Sequence, residues 1–213
     1  MSGISKRKQR GASLVEVITV TAIVMVLSGM AIMGTINPSK TSTANAAADQ
    51  VVDALRQARE YAITKRRNVS ITFTTPNTIT TAVQPLPTDP PPPVFPTIQL
   101  NNNATGGLQF YLYPGLPNTP MGAFGFTNTS AISLVAANGG VVGNAIMFTT
   151  SGSLVGAGGA AAANYYAVGN NDPINATIFI GVPGTPASER AITVVGATGR
   201  VRSYYWTGTA WQQ

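Results

Sequence analysis

Lys6-Arg7-Lys8-Gln9-Arg10-Gly11 leads into Ala12-Ser13-Leu14-Val15-Glu16, and an apolar run then continues to Ile36. Four cations and no acid precede Gly11, and Glu16 is the single charged side chain between Ala12 and Ile36. As a helix, 12–36 spans roughly 37 Å, enough to cross a hydrocarbon core with some tilt. The basic start keeps the leader on the cytoplasmic side and sends Asn37 onward out. A carboxylate inside such a segment is costly and tends to be functional. A secretory signal peptide fits poorly. Its apolar core is shorter and ends at a small-residue cleavage site, and Ala44-Asn45-Ala46 lies too far beyond the run. A plain one-span anchor with a snorkelling Glu16 stays open.

The basic leader, Gly11 and the Glu16 spacing together resemble the class III leader of type IV pilins and pseudopilins. The resemblance implies that a prepilin peptidase cuts after Gly11 and N-methylates Ala12, and that Glu16, fifth of the mature residues, serves filament assembly. Ala12 stands where most members of that family carry phenylalanine.

Working outward, charge and composition exclude several classes. The formal charge is +6, but four of the thirteen Lys and Arg lie in the leader. Without them nine cations face seven acids, so the chain is no bulk polycation and its charge does not argue for nucleic acid. Only 9% of residues are charged, while Gly, Ala, Thr, Asn and Pro abound, which suits a turn-rich β domain. With no cysteine, export brings no disulfide, so the core must stand by packing. About 175 residues follow the apolar run, one domain's worth. There is no histidine, the acids form no paired-carboxylate motif or calcium loop, and no Gly-rich phosphate loop is present. An enzyme is not expected, nor a cofactor or metal.

Asn37-Pro38-Ser39 punctuates the apolar helix as a kink or a break. Over 43–67 a second helical pattern follows, with Val51, Leu55, Ala58 and Ala62 on one stripe. Asp49 and Asp53 lie early and Lys65-Arg66-Arg67 late, an order that complements the helix dipole. The basic trio reads as a solvated helix end, with phosphate binding as the lesser reading. From Asn68 the period changes to two: Val69, Ile71 and Phe73 alternate with Ser70, Thr72 and Thr74. Further strands are expected over 79–83, 108–113, 131–136, 145–149, 177–181, 191–195 and 200–206. The turn 196–199 joins the last two as a hairpin. Pro-rich 85–96 reads as a stiff surface loop, and small-residue 156–163 as a mobile one. The sequons at Asn103, Asn128 and Asn175 are expected in exposed loops.

Gln57-Ala58-Arg59-Glu60-Tyr61-Ala62-Ile63 resembles the "AR-x-x-A" helix of the GspH/FimT branch of minor pilins. Phe148-Thr149-Thr150-Ser151-Gly152 is similar to that branch's "F-x-x-x-G" strand and turn, and 190–202, ending Gly199-Arg200-Val201-Arg202, to its closing hairpin. Members of the branch are non-enzymatic filament subunits, either pseudopilins of type II secretion or minor type IV pilins. Some of the latter bind DNA through a C-terminal "GRxR" element. Read independently, a strand over 200–206 places Arg200, Arg202, Tyr204 and Trp206 on one face. Two guanidinium groups about 7 Å apart match successive phosphates, and the aromatics offer stacking surfaces. A solvated face with cation–π contacts is the alternative.

The expected fold is α+β, pilin-like: a long N-terminal helix, transmembrane then amphipathic, packed on antiparallel sheet. The expected segments are a leader over 1–11, a transmembrane and assembly helix over 12–36, a linker and amphipathic helix over 37–67, and an extracytoplasmic β-rich domain over 68–213. The expected location is the bacterial inner membrane, single-pass with the C-terminal domain outside the cytoplasm, and the filament after processing. The expected partners are the prepilin peptidase, other pilins or pseudopilins, the inner membrane and, on the FimT-type reading, DNA. A surface adhesin is a third reading, suggested by the Pro- and Thr-rich middle.

Overall fold

One helix, α1 (Leu14–Lys65), leads the described chain, and eleven strands follow it. The computed structural model describes residues 14–84, 93–100, 107–122, 126, 128–136, 143–156 and 173–213. Gly11 and Ala12 therefore lie outside the described residues, as do Asn103, most of the Pro-rich loop and nearly all of the small-residue loop. The chain divides into two units, Met1–Ser39 and Lys40–Gln213.

In the first unit every large apolar side chain described from Leu14 to Leu27 is more than half exposed. The polar groups of this stretch satisfy themselves locally. Thr19 Oγ1 donates to Val15 O and Glu16 O at 3.0 and 2.9 Å, and Thr21 Oγ1 to Val17 O and Ile18 O at 2.9 Å each. Such back-bonding is how hydroxyls sit on an apolar helix. Among the described residues no helix is long and apolar enough to cross a membrane, and the expected span over 12–36 lies only partly within them. The expected punctuation at Asn37-Pro38-Ser39 does not end the helix, which runs to Lys65. A proline there forfeits one ladder hydrogen bond.

In the second unit α1 buries Ala44, Ala47, Ala48, Val51, Leu55, Ala58 and Ala62, the predicted stripe extended by about two turns toward its start. Small residues let the helix lie close to the sheets. It closes in a Schellman geometry: Arg66 takes φ 52°, and Arg67 N donates to Ala62 O at 3.1 Å.

The strands are β1 (Val69–Thr74), β2 (Thr78–Val83), β3 (Ile98–Gln99), β4 (Gln109–Phe110), β5 (Ile132–Ala136), β6 (Ala145–Phe148), β7 (Leu154–Gly156), β8 (Ile174–Val182), β9 (Thr185–Val195), β10 (Arg200–Trp206) and β11 (Trp211–Gln212). They form two antiparallel sheets. The first has the order β3-β2-β1-β6-β7, the second β11-β10-β9-β8-β4, with β5 also pairing β8. Main-chain bonds tie them together: Phe110 N donates to Pro76 O, and Leu154 N to Gly196 O, each at 2.8 Å.

The main core takes the helix stripe, then Val69, Ile71, Phe73, Ile146 and Phe148 from the first sheet, and Ile178, Ile180, Ile192 and Val194 from the second. Because side chains alternate across a strand, Phe179 and Ala191 point the other way. There they join Tyr204 and Trp211 in a second cluster, lined by Leu112, Leu116, Met121 and Trp206. β8 and β9 are thus buried on both faces, which is why their sequences read as apolar runs rather than alternations.

Several expectations are corrected here. The strand expected over 108–113 pairs only at Gln109 and Phe110. Beyond them Tyr111 N reaches Phe179 O at 3.2 Å, Tyr113 N binds the Glu189 side chain, and Pro114 follows, so no ladder forms. Of the sequon residues, Asn128 does lie in a loop, half-buried, and Asn175 lies in a strand, and both hold main chain. Asn128 Nδ2 donates to Leu116 O at 2.7 Å, and Asn175, within β8, accepts from Gly196 N at 2.9 Å.

Candidate functional site

Glu16 lies at the start of the described part of α1 and is exposed. The other predicted site, Arg200 and Arg202, lies on β10 just after the 196–199 turn. That turn is a tight reversal, with Thr198 N and Gly199 N both donating to Val195 O, at 3.3 and 2.7 Å. The register Arg200↔Val195, Arg202↔Thr193, Tyr204↔Ala191 puts both arginines on the face opposite the main core. Arg200 is exposed. Arg202 is half-buried: its Nη1 donates to Met121 Sδ at 3.7 Å, and its Nε is buried with no hydrogen-bond partner.

The aromatic half of that face differs from expectation. Tyr204 is 4% exposed inside the second cluster, and Trp206 packs edge-on against Trp211 at 5.4 Å. Neither ring is a free platform. Arginine–aromatic contact does occur on the other face, where the Arg190 guanidinium lies 5.9 Å from the Tyr205 ring centre.

Arg56, which the sequence did not single out, and Arg59, quoted only as part of the "AR-x-x-A" motif, complete the site. Arg56 and Arg59, with Glu60 and Ile63, recur at helical spacing along α1 and face the hairpin across an open cleft of about 1000 Å³. Arg200 and Arg202 form the opposite wall. Four guanidinium groups thus line the cleft with one acidic side chain, Glu60, and with Gln213 at the chain end. The helical period of Arg56 and Arg59 was visible, but their meeting with residues some 140 positions later is a tertiary fact.

Arg59 also explains why the three quoted motifs converge. Its Nε donates to Gly152 O at 3.2 Å. Gly152 has φ +81° and Gly199 φ +61°, both in the left-handed region. A Cβ on Gly199 would fall onto Gly152 O and within 2.5 Å of Arg59 Nε. The "AR-x-x-A" helix, the turn after Phe148 and the "GRVR" turn therefore meet at one crossing that admits no side chain on Gly199.

The third basic cluster, Lys65-Arg66-Arg67, forms the closing turn of α1 described above. The buried charges lie elsewhere, on β9. Burial pushes the Glu189 carboxyl up from 4.5 to about 8, against the lowering effects of the Tyr113 N–H and the neighbouring Arg190 charge. Oε1 accepts from Tyr113 N at 3.2 Å, and Oε2 is buried without a partner, packed against Gly181, where any Cβ would collide with it. Arg190, pushed down from its ordinary value by burial, ties β9 to α1. Its Nε donates to Asn45 Oδ1 at 2.6 Å and its Nη2 to Thr41 O at 3.4 Å. Nearby, Lys40 Nζ donates to Thr185 Oγ1 at 3.3 Å. Among the described residues no group of three His, Cys, Asp or Glu side chains could hold a metal ion.

No family model and no curated protein matches the chain. Two solved structures are similar to it, both of the type IV minor pilin FimU of Pseudomonas aeruginosa strain PAO1 in different crystal forms. One shares 15% identity with a TM-score of 0.41, covering 79% of this chain and 97% of that one. The other shares 16% identity with a TM-score of 0.40, covering 79% and 92%.

Proposed function

We propose that this chain is a minor pilin or pseudopilin, a filament subunit of a type II secretion or type IV pilus machine that acts by assembly and not by catalysis. The observation that carries the reading is Glu16, five residues after Gly11 and on a helix whose large apolar side chains from Leu14 to Leu27 are exposed. Exposed apolar surface of that extent needs cover. The inner membrane supplies it before assembly, and the helices of neighbouring subunits supply it in the filament. The proposed sequence of events starts with a prepilin peptidase cutting between Gly11 and Ala12 and methylating the new amine. Glu16 then pairs with the amine of a neighbouring subunit, a charge-assisted contact that compensates for burying its carboxylate. The β-rich unit stays outside the cytoplasm. Glu16→Ala is expected to insert and be cleaved normally but to be depleted from sheared filament fractions. Incorporation at the wild-type level contradicts the reading.

A DNA-binding minor pilin is the second reading, supported by the basic cleft of Arg56, Arg59, Arg200 and Arg202. On that reading duplex binding depends on salt and hardly on sequence, because phosphates dominate it. If each arginine neutralises one phosphate, Arg200→Ala/Arg202→Ala lowers the log–log salt slope by about 1.8 in a gel-shift titration. Equal slopes for the two proteins remove these arginines from the reading.

A further inference from the structure

The wall of the cleft formed by β10 is also a strand edge. On the side away from β9, β10 pairs with β11 only through Tyr205 and Trp206. Among the described residues no strand pairs along 200–204 on that side. Such an edge presents N–H and C=O groups in alternation, and an added extended main chain satisfies both kinds. At about 3.3 Å per residue it is roughly 16 Å long. Beside it stand Arg56, Arg59, Arg200 and Arg202, one acidic side chain, Glu60, the chain-end residue Gln213, and the apolar side chain of Ile63. Arg202 Nε, buried without a partner, is a donor that the folded chain leaves unmet.

We propose that this edge is a docking site for an extended, acidic segment of a different polypeptide, which adds to the second sheet beside β10 and sets its carboxylates against the arginines. Three observations select that occupant. A nucleic-acid backbone offers phosphate oxygens to the N–H groups of a strand edge but no regular row of donors to its C=O groups, whereas an extended peptide answers both. Of the aromatic rings that would stack on bases, Tyr204 is buried in the second cluster, and Trp206 is half-buried with Trp211 against it. A second copy of this chain does not bring the charge either, because the only acid in its described strands is Glu189, which is buried. Guanidinium–carboxylate pairs add specificity as well as attraction. The site requires nothing of residues 1–39, so its failure leaves the filament reading standing, and the reverse holds too.

The test uses the full chain in detergent micelles and three fluorescently labelled probes read by anisotropy. The probes are a peptide alternating Glu and Val, the same peptide N-methylated at alternate amides, and a single-stranded thymidine oligonucleotide. The Glu–Val peptide is expected to bind, and N-methylation to weaken it about tenfold or more, because the methylated amides cannot pair with the edge. Arg56→Glu/Arg200→Glu is expected to weaken the unmodified peptide by about tenfold as well, with a thermal midpoint like that of the wild type. Equal binding of the two peptides to wild type overturns strand addition. Binding of the oligonucleotide without binding of the peptide overturns the choice of partner, and a charge-reversed variant that binds like wild type overturns the role of the arginines.

Discussion

Glu189 shows how a single residue can set a property of the whole chain. Its carboxyl is completely shielded from solvent, one oxygen is unmet, and its pKa lies near 8 instead of 4.5. Between those two values the folded chain holds a proton that the unfolded chain releases. The contribution is therefore fully present below about pH 4.5 and lost as pH rises through 8, so stability falls with rising pH across that window. The chain has no histidine and no cysteine, so few other groups titrate there. Urea midpoints of the full chain at pH 6 and pH 9 are expected to fall clearly for wild type. They should fall much less for Glu189→Gln, which keeps an acceptor for Tyr113 N but cannot ionise. A Glu189→Gln slope equal to that of the wild type contradicts a buried, protonated Glu189. The sequence displayed this residue as one scattered acid, because nothing local announces that Gly181 and the Tyr113 main chain will close over it.

At the scale of elements, the crossing of α1 with the 149–152 and 196–199 turns is the point where three short motifs become one contact. Gly199→Ala must place a side chain at φ +61° and against Gly152 O and Arg59. A left-handed residue costs about 1 kcal/mol, and the collision adds to it, so a loss of about 2 kcal/mol or more is expected by urea denaturation. A loss near zero contradicts the crossing. The same elements show what was legible beforehand. β1, β2, β5, β6 and β10 were readable from alternation and apolar runs, and the hairpin from its turn residues. The strands β3, β7 and β11 have two or three residues each, too few to show a period. β9 begins at Thr185, six residues before the apolar run 191–195, because Pro186, Ser188, Glu189 and Arg190 look like loop, yet Glu189 accepts from Tyr113 N and Arg190 donates to Asn45, bonds that only the fold supplies. Of the cleft, Arg200 and Arg202 were legible from strand spacing. The packing of Tyr204 and the approach of Arg56 and Arg59 were not, since both depend on what the 107–122 segment and α1 lie against.

The whole molecule joins two units with different demands. Lys40–Gln213 carries its own core, two sheets around a small-residue helix stripe, and a basic cleft with an unpaired strand edge. Met1–Ser39 brings exposed apolar side chains and one carboxylate, a surface that calls for lipid or other helices. A filament subunit reconciles the two, because assembly covers the helix and leaves the β-rich unit on the outside. On the proposed reading the basic leader is a processing signal, whose removal would take away four of the thirteen cations. Intact-mass analysis of the full chain extracted from its native membrane tests this most directly. The account predicts a mature chain that begins at Ala12 and carries one added methyl group on its terminal amine. An uncleaved chain starting at Met1, or a mature terminus near Ala44, would contradict it.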